Sequence, residues 1–145
     1  RQDSVARGLQ ALPEGSTLVA IHDCARALVT PELIGRVVGD ALQHGAAIAA
    51  VPLADTLKRG ALGAIETTVP RQGLWCAQTP QVFRREWIEA AHAAVAHHAT
   101  DDAALVEALG HRVHLTPGDP LDFKITTPQD LELAAAWLTR TSART

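Results

Sequence analysis

Residues 18–52 read "LVAIHDCARALVTPELIGRVVGDALQHGAAIAAVP", and this stretch decides the fold. Leu18 to Ile21, preceded by Thr17, form an apolar run with the length of a buried strand, and the run stops at His22-Asp23, with Arg26 three residues on. Thr30-Pro31-Glu32 is a helix start: a capping hydroxyl, proline at the first helical position and an acid in the first turn. Leu33, Val37, Val38, Ala41 and Leu42 give that helix one apolar stripe, and Gly45 stops it. Ala46 to Pro52 is small and apolar, which predicts a second buried strand. Strand, helix and strand in that order predict a right-handed crossover in a parallel sheet, hence an α/β fold.

The flanks extend this pattern. Val5, Leu9 and Leu12 recur at helical spacing before Pro13-Glu14-Gly15. Residues 55–70 are broken by Gly60 and Gly63 and poor in apolar side chains, which predicts a two-stranded hairpin projecting from the body. Leu74 to Phe83 reads as a strand leading into a turn at Thr79-Pro80, and Arg85 to His98 as a helix. Thr100 is placed to cap the next helix, with Asp101 and Asp102 in its first turn and Gly110 at its end. Val113 to Leu115 is a short strand, and Lys124-Ile125 could extend another. Thr127-Pro128 opens a last helix that Leu131 to Leu138 would dock, leaving a tail at 139–145.

Bulk properties narrow the function. The chain has 145 residues, enough for one domain or part of a larger one, with 47% hydrophobic and 20% charged residues, enough apolar side chains for a packed core. The net charge of -3 without a basic block argues against nucleic acid as a partner, and no apolar run suits a membrane helix. Cys24 and Cys76 are too few for a disulfide framework, which points to a reducing, cytoplasmic setting. Arg1-Gln2-Asp3-Ser4-Val5 opens without Met or a signal-peptide pattern, so a preceding segment is expected.

Ligands of open parallel sheets bind outside the carboxyl ends of the strands, where Asp23 sits. A carboxylate there can ligate Mg²⁺, and Arg26 on the same loop can reach a phosphate. The plainer alternative is an Asp–Arg pair trimming a loop. Arg71 precedes a Trp-bearing strand and Thr79 ends it; alternatively, Arg71 is a solvated hairpin charge and Trp75 is core. Thr100 at a helix N-terminus could help receive an anion, or be an ordinary cap. Lys124 in an apolar pattern needs an anionic partner or an exposed face. Asp55, Thr56 and Lys58 end the second strand, or are simply polar turn residues. Of the seven histidines none forms a zinc pattern; His97 and His98 diverge on a helix, and His44, His92, His111 and His114 read as surface residues.

In order along the chain, "RQDSVARGL", "HDCAR", "VPLADTLKR", "RQGLWCAQTPQVF", "TDDAALVEALG" and "DFKITTPQDLELA" closely resemble the carboxyl-terminal two-thirds of the 2-C-methyl-D-erythritol 4-phosphate cytidylyltransferase family. The resemblance runs from Arg1 to about Leu138. It implies a Rossmann-like, mostly parallel sheet flanked by helices, with a projecting β-arm at about 55–73 used in dimerisation. It implies a single nucleotidyltransferase domain, CTP and a polyol phosphate as partners, Mg²⁺ or another divalent cation, and a cytoplasmic homodimer. The implied activity joins CTP to methylerythritol phosphate in non-mevalonate isoprenoid biosynthesis. By the same resemblance Arg71 and Lys124 are catalytic, and Arg26, Thr56, Thr79 and Thr100 surround the substrate. Ser4, Asp23 and Cys24 lie on the nucleotide side, with Asp23 the metal ligand; Thr56 and Arg71 reach a partner's site.

The chain departs from the family pattern in places. Ala27 stands where the family usually has Pro, Cys24 where a small residue is common, and Asp122 where Asn is usual. The extra carboxylate could lower the local positive potential or add a metal contact. No Gly-rich, basic triphosphate loop matches residues 1–145, so the family's N-terminal segment is expected elsewhere and these residues alone are expected to be inactive. Two alternatives stay open: a ribitol-phosphate cytidylyltransferase, and a non-catalytic nucleotide-binding or dimerisation module.

Overall fold

A computed structural model describes residues 2–94 and 99–142. Helix α1 (Gln2–Gln10) leads to strand β1 (Leu18–Ile21), helix α2 (Pro31–His44) and strand β2 (Ala46–Pro52). The start and stop signals work as the sequence predicts. Thr30 accepts the Leu33 N–H at 3.2 Å, and Gly45, at φ 86°, donates its N–H to Ala41 at 2.8 Å. The left-handed backbone at position 45 suits glycine.

Strands β3 (Leu57–Ala61) and β4 (Ala64–Val69) form a separate two-stranded sheet. Leu62 (φ 52°) and Gly63 (φ 81°) make the two-residue turn between them, both left-handed as the twist of a tight hairpin demands. Strand β5 (Trp75–Arg84) runs into helix α3 (Arg85–Ala94); helix α4 (Asp102–Ala108), strand β6 (His114–Pro117) and helix α5 (Pro128–Ser142) follow.

The main sheet has the order β1-β5-β2-β6. Strands β1, β2 and β6 run the same way, and β5 opposes them, antiparallel to both β1 and β2. Three of the four strands thus point the same way, but two of the three neighbouring pairs are antiparallel, because β5 fills the gap between β1 and β2; the expected mostly parallel pairing is corrected to a mixed sheet. Alternate residues of β2 serve the two faces. Ala46 and Ile48 pack with Leu9, Val19, Phe83, Ile88 and Leu105; Ala47 and Ala49 pack with Leu33, Val37 and Ala41 of α2. Small side chains on β2 let both helix layers approach closely.

Four further expectations need correction. Thr79-Pro80 does not end a strand: it lies inside β5, where residues 78–80 bulge opposite Ala49, between the pairs Ala50–Ala77 and Ile48–Gln81. The bulge accommodates a proline, which lacks a ladder donor, and its peptide bond is cis. Lys124-Ile125 is loop, because the Ile125 N–H bonds the Ala25 carbonyl (2.8 Å) instead of a strand neighbour. Trp75, offered as core, is 41% exposed. In α5 the buried position is Ala134, while Leu131, Leu133 and Leu138 are more than half exposed, and the helix continues through the expected tail to Ser142. An apolar stripe states which face would bury, not what covers it. The end of the predicted third helix, residues 95–98 with His97 and His98, lies outside the described residues. Among the described residues no helix is long and apolar enough to cross a membrane.

Candidate active site at the carboxyl ends of the strands

Asp23, Arg26, Ala77, Gln78, Thr79, Gln81, Thr100, Asp101 and Lys124 line one cavity of about 260 Å³. It lies beyond the ends of β1 and β6, against the bulge of β5 and the N-terminus of α4. Five of the sequence-predicted residues, Asp23, Arg26, Thr79, Thr100 and Lys124, therefore meet in one place although 101 positions separate the first from the last.

Four of the five are held from distant segments. The Thr79 hydroxyl accepts the Asp23 N–H at 3.0 Å and contacts His22 Nδ1 at 2.9 Å; His22 Nε2 lies 3.2 Å from the Arg26 carbonyl. Buried Thr79 thus fixes the turn that carries both Asp23 and Arg26. Lys124 Nζ pairs with Asp23 Oδ2 at 3.1 Å. With the lysine side chain 47% exposed, that pair is worth ~1 kcal/mol or less. It keeps an ammonium group at the cavity mouth without locking it there. Arg26 donates from Nη1 to the Asp122 carbonyl (2.6 Å) and from Nη2 to the Ala77 carbonyl (3.4 Å). Its Nε is buried and has no hydrogen-bond partner.

The loop after β6 is pinned by Gln78, a residue sequence reasoning did not single out. Gln78 Nε2 donates to the carbonyls of Asp119 (2.7 Å) and Asp122 (3.2 Å), and its Oε1 accepts the Asp119 N–H (3.2 Å). Gly118 makes this fit possible, since a Cβ there would run into Gln78 Oε1 and sit 3.0 Å from the Ala50 carbonyl. Gln81 does the same for α4: it donates to Asp101 Oδ2 (2.9 Å) and accepts the Ala103 N–H (3.2 Å). The α4 cap is Asp101, whose other oxygen accepts the Ala104 N–H at 3.0 Å, so Thr100 is not the cap. A pinned carboxylate at that end outcompetes the neighbouring hydroxyl. The available signal was two glutamines inside an otherwise apolar strand pattern, since buried amides need fixed partners.

Asp122 is 1% exposed, and neither carboxylate oxygen has a hydrogen-bond partner. Burial pushes its carboxyl up to about 6, against the pull of Arg26 and His22. His92 also departs from its surface assignment: its side chain is 7% exposed and lies 3.0 Å from buried Asp102.

Other predicted residues lie apart. Ser4 sits on α1 beside a separate apolar depression formed with Val19 to Ile21. Cys24 is an exposed free thiol next to Asp23. Thr56 and Arg71 are exposed at the base of the β3–β4 arm and do not line the cavity. A larger depression of about 510 Å³ holds Arg84, Arg85, Glu86 and Glu89, whose charges pair with one another (Arg84–Glu86 3.7 Å, Arg85–Glu89 2.7 Å). Both depressions set two cations against two acids, and it is the smaller one that gathers the sequence-predicted residues. Among the described residues no three His, Cys, Asp or Glu side chains gather as a metal cluster. Asp23 alone suits Mg²⁺, which commonly takes one or two carboxylates and completes its shell with substrate phosphates and water.

The family model for 2-C-methyl-D-erythritol 4-phosphate cytidylyltransferase matches residues 1–140. The chain is 49% identical over 146 residues to the 2-C-methyl-D-erythritol 4-phosphate cytidylyltransferase of Nocardia farcinica, covering 99% of this chain and 62% of that protein. It is 51% identical over 143 residues to the enzyme of the same name from Syntrophotalea carbinolica, covering 95% and 61%. The crystal structure of the Thermus thermophilus enzyme superposes with a TM-score of 0.89 at 42% identity, covering 95% of this chain and 69% of that one. The chain thus spans about three-fifths of the length of these curated relatives.

Proposed function

This chain belongs to the 2-C-methyl-D-erythritol 4-phosphate cytidylyltransferase family, and we propose that it forms the alcohol-phosphate side of an enzyme that joins CTP to methylerythritol phosphate and releases pyrophosphate. The observation that carries this reading is the convergence of Arg26 and Lys124 with Asp23 in one cavity at the strand ends.

The chemistry suits those side chains. The nucleophile is a phosphate, anionic at neutral pH, so no strong base is required. The difficulty is bringing two polyanions together, and cations must neutralise, orient and stabilise the charge that develops at the α-phosphorus. Arg26 presents a fork to one phosphate; Lys124 presents a point charge. Thr100 offers a hydroxyl at the cavity wall, and Thr79, whose hydroxyl is engaged by the Asp23 N–H and His22, holds the turn that presents Asp23 and Arg26. Asp23 would hold Mg²⁺, which supplies charge neutralisation to the phosphates when bound. That is how an acid comes to stand beside Arg26 and Lys124 in a phosphate site: it would bind a cation that binds phosphate.

The arm extends the proposal. Its residues are almost all exposed, and Arg71 lies outside its own cavity. In a homodimer with interlocking arms, Arg71 and Thr56 of each protomer would enter the other's site. Ser4 and Cys24 would lie on the nucleotide side, in a cytoplasmic enzyme.

The test is magnesium-dependent pyrophosphate release from CTP, with methylerythritol phosphate or ribitol phosphate as acceptor. It uses the chain by itself and joined to the amino-terminal segment that the resemblance implies. Release with the joined protein, faster on methylerythritol phosphate, is expected. Faster release on ribitol phosphate would reassign the substrate, and no release from the joined protein would favour a non-catalytic module.

A further inference from the structure

Asp122 and Arg26 each leave a strong hydrogen-bonding group unmet in the same wall of the cavity. The Asp122 side chain is 1% exposed with both oxygens unpartnered, and Arg26 Nε is buried and unpartnered. The two residues already touch: Arg26 Nη1 donates to the Asp122 main-chain carbonyl at 2.6 Å, and Gln78 holds that same carbonyl from the other side at 3.2 Å. The backbone of Asp122 is thereby fixed, and the guanidinium, bonded to that carbonyl and more loosely to that of Ala77 (3.4 Å), shifts by exchanging those bonds. A buried carboxylate without a partner is costly, and so is a buried N–H.

We propose that Asp122 is an internal counter-anion for Arg26, competing with the incoming phosphate for that guanidinium and so setting how strongly the cavity holds anions. The inference rests on reading the cavity as a phosphate site. Arg26 can pair inward with the carboxylate or outward with a ligand, and Asp122 acts through it as a positioning residue. An asparagine at this place would keep the shape and remove the competition.

The charged and titratable groups that bear on Asp122 are few. Arg26, His22 and Asp23 come from the loop after β1, and Asp119 from its own loop; the neighbour on β5, Gln78, is neutral. Arg26 and His22 favour the ionised carboxylate, while burial, Asp119 and Asp23 oppose it. Once ionised, Asp122 draws Arg26 inward; once protonated, it lets go. Anion affinity should therefore fall as pH rises through the range in which Asp122 ionises. His22 also bears on Asp122, and its contribution must be separated from it.

Sulfate is the probe, because it stays doubly charged where phosphate would titrate. Its affinity for the chain is measured calorimetrically between pH 5 and 7.5 in the parent, in Asp122→Asn and in His22→Gln. The parent is expected to weaken about fivefold or more as pH rises. Asp122→Asn is expected to bind at pH 7.5 as the parent does at pH 5, with a nearly flat profile, and His22→Gln to keep the parent's slope. Parent-like affinity and slope in Asp122→Asn overturn the inference. So does a flat profile in His22→Gln, which also decides the matter if the asparagine variant fails to fold. Absence of sulfate binding in the parent and both variants at every pH overturns the phosphate-site reading along with it.

Discussion

In the cavity wall, residues distant in sequence hold one another: Asp23 is bonded to Thr79, Arg26 to Asp122, Gln81 to Asp101 and Lys124 to Asp23. In the β3–β4 arm the side-chain bonds are local, as from Lys58 Nζ to Thr68 Oγ1 at 2.7 Å, and no residue of either strand is buried. Isolated two-stranded hairpins are marginal in water. The comparison teaches that the cavity is assembled by this chain's own distant segments, whereas the arm's side chains meet little of the chain; the proposed dimer would give them a surface. The exposed Ile65 and Leu62 on the arm fit such a surface.

The largest expected effects come from removing one cation from each region. Lys124→Ala and Arg71→Ala should each cut pyrophosphate release about 100-fold or more in the joined protein. Arg71→Ala should leave CTP affinity nearly intact, as measured by calorimetry. Equal loss of affinity and turnover would make Arg71 a structural residue and blur the contrast.

Next in size is Gly118→Ala. Its Cβ would strike Gln78 and the Ala50 carbonyl, dislodging the loop that presents Lys124. About 3 kcal/mol of stability should be lost in urea unfolding. An unchanged midpoint would show that the loop yields easily.

Asp122→Asn follows. Burial holds the Asp122 carboxyl at about 6, above its ordinary 3.8, so the native chain keeps a proton that the unfolded chain has released. Stability then falls as pH rises between those two values. Above pH 6 the asparagine variant should be more stable than the parent, on the order of 2 kcal/mol, and the two should converge below pH 4. Thermal unfolding across that range reads the difference; parallel curves would contradict it. Asp130 behaves in the opposite sense. The N–H groups of Thr126 and Thr127 hold its carboxyl down to about 2, so its contribution to the α5 cap is present at neutral pH and lost only as pH falls through that value.

Much of this was legible because it is local. The Thr30 cap, the Gly45 stop and the hairpin turn depend on neighbours within a few positions, and so did the strand-end placement of Asp23 and Arg26. What was not legible depends on partners far along the chain. Nothing near β1 or β2 says that β5 lies between them. Thr100 and Asp101 are equally plausible caps until Gln81, 20 positions away, selects the carboxylate. His92 looks like a surface residue until Asp102 buries it. Asp122 too takes its character from a distant partner: it is buried beside Arg26, and burial pushes its carboxyl up to about 6.

The smallest expected effect is in the arm. Ile65→Ser should change protomer stability by no more than about 0.5 kcal/mol, since its side chain buries little, yet weaken self-association in sedimentation. A large loss of stability would mean that the arm is part of the core.

The central proposal, that one protomer's cavity is completed by the other's arm, is tested most directly by mixing Asp23→Ala and Arg71→Ala subunits of the joined protein, each expected to be inactive alone. The account predicts that pyrophosphate release returns on mixing, because the Arg71→Ala protomer keeps a sound cavity and receives Arg71 from its partner. Persistent inactivity in verified mixed dimers would contradict it.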